Sequence, residues 1–386
     1  MDWKTALREV GVKAEHTFDD LRHRFKQRLG FDDPIRIQPY RGYGTGERLY
    51  LQGRVLEDEG LTTPDPGDSP WENLKRMAKR LESDEIPAAV VRVEVAGASV
   101  EVESDDEGYF KVEVPAGDTA AERFAAGTTP VKYTLLKPLK EGQDRREWDG
   151  EAFVPADGAD FLVVSDVDDT VLHTHATSMV KLAVTSLFTN EHKRIAFPGV
   201  SEFYHALRRG TGGGPDNSFF YLTSSMWNVY DMLAMFFELR DIPPGPLLMR
   251  DLGLTKDHFF KSSHGKHKLG HLKMLTDLYP THRLVLIGDT GQKDAEIYRD
   301  LCLHVRDDRH EQPADRVADR VADRVAAVYL RDVADDLRDR AVERIEEEMR
   351  QMGVPTLAAE SSKKHAEHAA GLGLINRDEA AAVPEK

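Results

Sequence analysis

The chain has 386 residues, more than one hydrophobic core ordinarily organises, so two domains are expected. Its 68 acidic and 52 basic side chains leave a formal charge of -16, which excludes a general nucleic-acid binder, since phosphate contacts need a basic face. The single cysteine, Cys302, excludes an internal disulfide framework and fits a reducing compartment. The start, Met1 to Leu29, is charged throughout and lacks the apolar core of a secretory signal. No apolar run reaches the roughly 18 residues of a membrane span, and a cytoplasmic location is expected.

In chain order, residues 1–30 read as an amphipathic helical segment. Thr17 and Asp20 make a capping box, and Phe18, Leu21, Phe25 and Leu29 recur at helical spacing. Arg22, Arg24, Lys26 and Arg28 fall in the same stretch with no acid among them. Residues 31–156 read as a β-rich, sandwich-like domain. Leu49–Val55, Val90–Val95, Ser99–Glu103 and Tyr109–Val114 alternate apolar and polar residues, with a turn at Asp105 to Gly108. Val131–Leu136 and Glu151–Val154 add further strands, and Trp71–Ser83 reads as a helix.

Residues 157–376 follow a different pattern. Short, wholly apolar runs (Phe161–Val164, Phe219–Leu222, Leu284–Ile287, Ala326–Leu330) alternate with helical segments. Such runs predict an α/β fold with a parallel sheet buried on both faces. The apolar stretch Ser178–Phe188 predicts a core helix or a small cap. ADRV occurs three times in residues 314–325, and the repeat predicts a surface helix with Val317, Val321 and Val325 on one stripe. Residues 377–386 are expected to be a disordered tail.

Four signals carry chemistry. The first strand ends in Asp166, Asp168, Asp169 and Thr170; carboxylates packed this closely call for a cation, and magnesium prefers such oxygen ligands. In open α/β sheets, ligands bind outside the carboxyl ends of the strands. A second apolar strand ends in Gly288 and Asp289, with Asp294 five residues on, where a helix N-cap is the bland alternative. A third ends in Thr223, Ser224 and Ser225, hydroxyls suited to phosphate oxygens. Lys268, at the start of a helix, is a compact charge suited to phosphate.

The order of these motifs is that of haloacid dehalogenase-type phosphatases. The phrases DVDDTVLHTHATS, AFPGVSEFYHAL, YLTSSMWNVY, LIGDTGQKDAEIY and AVYLRDV, with PYRGYGT, GRVLED and HAEHAAGLGLI outside them, resemble the actin-patch-associated phosphatidate phosphatase family. The resemblance covers most of the chain. It implies a Rossmann-like fold with a small cap and a magnesium-dependent phosphatase acting through an aspartyl phosphate. Asp166 would be the nucleophile and Asp168 the general acid and base. Thr223 and Lys268 would bind the phosphoryl group, assisted by Ser224 and Thr170. Asp166, Asp289 and the Asp168 carbonyl would hold magnesium, with Asp294 a further metal residue or the partner of Lys268. The family's second motif usually reads Ser-Asn-Ser-Pro; Thr223-Ser224-Ser225-Met226 departs from it in a way that bears on the leaving-group pocket.

The expected reaction is hydrolysis of phosphatidate to diacylglycerol, with peripheral membrane contact through residues 17–29. A soluble phosphomonoester, or a scaffold role for the β-rich domain, are the alternatives. Zinc at His173, His175, His267 or His271 has no evident third ligand, and no Gly-x-Ser-x-Gly elbow supports a serine hydrolase.

Overall fold

The computed structural model describes residues 34–58, 85–117, 123–167, 170–171, 197–250, 264–308, 321–333 and 336–385. The expectations for residues 1–30, for helices at Trp71–Ser83 and Ser178–Phe188, for most of the ADRV repeat and for Asp168 lie outside them.

The first half builds one sheet of eight strands. They are β1 (Ile35–Pro39), β2 (Gly42–Gly44), β3 (Arg48–Glu57), β4 (Val90–Val95), β5 (Ala98–Glu103), β6 (Tyr109–Pro115), β7 (Gly127–Lys137) and β8 (Glu147–Val154). Hydrogen bonding runs β1-β3-β2-β8-β7-β4-β5, and β6 pairs along β3. This corrects the sandwich-like expectation. The strands join a single sheet that curls until β5 and β6 approach without forming a ladder. Alternation in the sequence reports a half-buried strand and does not distinguish two facing sheets from one that curls around its own core. That core holds Leu49, Leu51, Val91, Val93, Phe110, Tyr133 and Leu135.

The second half is a six-stranded parallel sheet, ordered β11-β10-β9-β12-β13-β14. Its strands are β9 (Leu162–Asp166), β10 (Phe219–Met226), β11 (Leu247–Arg250), β12 (Leu284–Asp289), β13 (Val325–Arg331) and β14 (Thr356–Ala359). β9, β12 and β13 are buried at every residue, as strands covered on both faces must be. On one face lie α1 (Val200–Arg209), α2 (Tyr230–Leu239), α6 (Ser362–Gly371) and α7 (Arg377–Ala382). On the other lie α3 (His264–Leu278), α4 (Asp294–Asp308) and α5 (Asp336–Gln351).

From β9 the chain moves outward to β10 and β11, then returns to the other side for β12, β13 and β14. The order therefore reverses between β9 and β12. Neighbouring connections leave in opposite directions there, which opens a crevice at the carboxyl ends of the two strands.

Two further expectations are corrected. The end of the ADRV repeat is not a surface helix: Val321 sits in a 3-10 turn, Val325 opens β13, and both are buried. Arg324 between them is also buried and donates to the carbonyls of Thr276 at 2.7 Å and His282 at 3.0 Å, as well as to those of Tyr279 and Pro280. It thereby gathers carbonyls around the carboxyl end of α3, where backbone acceptors run out of intrahelical donors. Residues 377–386 do not start as a disordered tail, because α7 buries Ala380 and Val383 against the first face. Lys363 fixes the end of α7 by donating to the carbonyls of Ala380 at 2.9 Å and Ala381 at 2.7 Å.

His365 of α6 is buried among Phe203 and Tyr329, with Nε2 3.2 Å from the Leu330 carbonyl. Burial, with Arg331 nearby, pushes its pKa down to about 3. The folded protein therefore keeps it neutral, while the unfolded chain takes up a proton below about pH 6.5. Stability from this group is complete above that value and is lost as pH falls toward 3. Urea denaturation at pH 7.5 and pH 5 should show a loss in His365→Gln smaller than that of wild type by roughly 2 kcal/mol. Equal losses would show that the folded protein protonates His365.

Candidate active site

The strand ends carry the site. β9 delivers Asp166 into the crevice, fully buried. β12 delivers Asp289, also fully buried. α4 opens with Asp294, whose carboxylate lies back along β12: Oδ2 accepts the Asp289 N–H at 3.2 Å. Gly288 makes this approach possible, since a Cβ there would sit 2.6 Å from Asp294 Oδ2. The Gln292 N–H donates to Asp289 Oδ1 at 2.6 Å and so fixes the second carboxylate.

Lys268 reaches in from the first turns of α3. Its Nζ lies 2.6 Å from Asp166 Oδ1 and donates to Asp294 Oδ1 at 2.7 Å, with only 3% of the side chain exposed. Burial alone would lower the pKa of this ammonium. Asp166 and Asp294 outweigh that effect and hold it above its ordinary value, so it is charged. Lysine thus offsets part of the charge of three carboxylates whose ligand atoms lie within 4.8 Å of one another. An oxygen-only, acid-rich, buried donor set of this kind suits a hard divalent cation.

Asp166, Asp289, Asp294 and Lys268, singled out in the sequence, thus converge. Thr223 lies beside them: Leu222 of β10 pairs with Asp166 of β9, and Thr223 is the next residue, fully buried. Its hydroxyl accepts the Ser225 N–H at 3.1 Å, and Ser224 is half-buried between them. Thr170 is buried, and its hydroxyl has no hydrogen-bond partner among the described residues. Asp168 lies outside the described residues. The His267 and His271 rings pack edge to face with their Nε2 atoms 3.2 Å apart, and no group of three metal-binding side chains among the described residues includes them.

Two supporting residues escaped the sequence reading. Ser165 Oγ donates to the Asp166 carbonyl at 2.8 Å and lies 2.6 Å from the Tyr204 hydroxyl. A buried hydroxyl pair thus braces the backbone of Asp166 from α1. The available signal was a lone serine in an otherwise apolar strand.

Residues 161–309 match the family model described as "Phosphatidate phosphatase APP1, catalytic domain". This segment is similar to the APP1-type catalytic domain. All four converging residues lie inside it. Phosphatidate phosphatase APP1 of Saccharomyces cerevisiae is 24% identical over 136 residues, 35% of this chain and 22% of that protein. An uncharacterised protein of Schizosaccharomyces pombe is 23% identical over 208 residues, 53% of this chain and 32% of that one. The chain therefore spans less than a third of the stretch of either relative. Among solved structures, a carbohydrate acetylesterase from Xanthomonas citri aligns over 83% of this chain and 66% of its own, at 11% identity and a TM-score of 0.26, too low to bear on the APP1-type segment.

The Lys268 network can be tested without substrate. Lys268→Met leaves the buried carboxylates without their ammonium and should cost about 3–5 kcal/mol of unfolding free energy in metal-free urea titrations. A cost below about 1 kcal/mol would show that the carboxylates are solvated or protonated in the native state.

Proposed function

We propose that the protein hydrolyses phosphomonoesters with the help of magnesium and through an aspartyl phosphate, with phosphatidate, converted to diacylglycerol, as the leading substrate. The observation that carries this reading is the buried Asp166–Lys268–Asp294 network beside Asp289, at the strand-order reversal of an APP1-type catalytic segment.

Each residue then has a task. Asp166 attacks phosphorus, and the ester oxygen leaves as Asp168 gives it a proton. Asp168 next takes a proton from water, which attacks the phosphorus of the acyl phosphate and frees Asp166 and inorganic phosphate. Lys268 orients the Asp166 carboxylate and offsets charge on the phosphoryl oxygens, which Thr223 meets with its hydroxyl. Ser224 and Thr170 are further phosphate contacts. Asp166 and Asp289, with the Asp168 carbonyl, would hold magnesium, whose charge stabilises the transferring group. Asp294 is better placed to orient Lys268 and Asp289 than to bind the ion, because each of its oxygens already accepts one of them.

The lipid assignment rests on the family match and on the printed activity of the yeast relative. No helix among the described residues is long and apolar enough to cross a membrane. We assign surface contact to the basic, amphipathic residues 17–29 of a peripheral, cytoplasmic protein, where each basic residue contributes on the order of 1 kcal/mol at an anionic bilayer. The Thr223-Ser224-Ser225-Met226 turn departs from the family motif and keeps a soluble phosphomonoester as the second reading.

Purified protein should be assayed on phosphatidate vesicles and on a soluble aryl phosphate, with chelator and with added metal. Activity on both that chelator removes and magnesium restores better than zinc is the expected result. In Asp289→Ala the magnesium requirement should rise by at least about tenfold. Deleting residues 1–29 should weaken vesicle activity and spare the aryl phosphate. Unchanged metal dependence in Asp289→Ala would remove that residue from the metal site. Turnover of the aryl phosphate alone would establish the soluble reading.

A further inference from the structure

The turn between β1 and β2 belongs to the β-rich half by sequence, yet its side chain Tyr40 does not join that half's core. Tyr40, 2% exposed, packs in the core of the catalytic half. Its ring stacks on Trp227, with centroids 4.7 Å apart and planes 18° from parallel, and meets Tyr230 at 4.4 Å. Backbone and side chains around it pin the same place. The Arg41 N–H donates to the Tyr230 hydroxyl at 2.9 Å, and Gln38 Nε2 donates to Asp231 at 2.5 Å. Farther along, Gly44 accepts from the Tyr279 hydroxyl at 3.0 Å. A Cβ on Gly44 would lie 2.1 Å from the Arg48 carbonyl, so the end of β2 runs this close to β3 only with glycine there.

Trp227 follows the hydroxyl turn Thr223 to Ser225 directly after Met226. At its start the turn is held by ladder bonds: Leu222 pairs with Asp166, and the Val167 N–H donates to the Leu222 carbonyl at 3.0 Å. Beyond that the pairing of β10 with β11 breaks register between Leu222 and Met226, the stretch that contains Thr223, Ser224 and Ser225. Pairing with β11 resumes only at Met226, opposite Arg250, so Thr223 to Ser225 lack regular ladder support on that side, and Trp227, stacked on Tyr40, follows Met226 at once. The Tyr40–Trp227 stack thus backs the Met226 end of this bulged stretch, and losing it loosens the aim of the hydroxyls.

We propose that Tyr40 is a positioning residue for the phosphate-binding turn, so that the β-rich half completes the catalytic site rather than being a separable binding module. The inference rests on the phosphomonoesterase reading above. Tyr40 touches no reacting atom; it acts through Trp227 on Thr223.

The test uses the full chain, a soluble aryl phosphate and competition by inorganic phosphate. Tyr40→Leu keeps an apolar side chain but loses the stack, and should raise the inhibition constant of phosphate about tenfold and lower kcat/KM by at least as much. Tyr40→Phe keeps the ring and should stay within about twofold of wild type. Val91→Ala, deep in the core of the β-rich sheet and remote from the turn, should lower the melting temperature yet leave the inhibition constant unchanged. An unchanged inhibition constant in Tyr40→Leu would overturn the proposal, as would an equal rise in Val91→Ala. Failure of wild type to hydrolyse any aryl or lipid phosphate would instead overturn the phosphatase reading, and this proposal with it.

Discussion

Three carboxylates buried within 4.8 Å of one another, with Lys268 bridging two of them, impose the strongest constraint in the molecule. Like charges out of water repel, and each has lost its hydration; the arrangement persists only where the surrounding fold overdetermines it. The surroundings do so. Asp166 and Asp289 end strands buried at every residue, Ser165 and Tyr204 brace the backbone of one, and the Gln292 N–H fixes the other. Asp294 spends one oxygen on Lys268 and the other on the Asp289 N–H, so the helix start, the strand end and the lysine lock together. Stability is given up at this point for a place where added positive charge is favoured.

The same constraint explains why the topology matters. Only where strand order reverses do two neighbouring strand ends open onto a crevice rather than onto crossing connections. β9 and β12 are the strands at that reversal, and they carry the two carboxylates. β10, the next neighbour, adds the hydroxyl turn. The β-rich half enters through Tyr40, which packs in the catalytic core, and through hydrogen bonds from Gln38 and Arg41 to α2 and from Tyr279 to Gly44. Contacts this buried make one structural unit of two sequence regions with different periodicity.

Much of this was legible in the residues. Wholly apolar runs announced β9, β12 and β13, because strands covered on both faces have no polar side to show. Asp166, Asp289, Asp294 and Lys268 stood out because acids and a lysine beside apolar strands need a reason to be there. β11 was not legible: Leu247 to Arg250 is short and follows the prolines of Asp241–Pro246, so it reads as loop. β1 and β2 were hidden by the proline and glycines of Pro39 to Gly44. The curl of the first sheet is a long-range property that alternation within one strand does not encode. Arg324 misled because a repeat with charged positions looks like a solvated helix; its guanidinium is buried because the end of α3 supplies carbonyls from a distant part of the chain.

The central claim is that the Asp166 carboxylate itself takes the phosphoryl group. The most direct measurement is to quench the turning-over enzyme in acid, reduce it with borohydride and map the peptides by mass spectrometry. An acyl phosphate on Asp166 would be converted to homoserine at that position, and the conversion would be missing in Asp166→Asn and in enzyme quenched without substrate. Reduction at another carboxylate, or steady turnover in Asp166→Asn, would contradict the account.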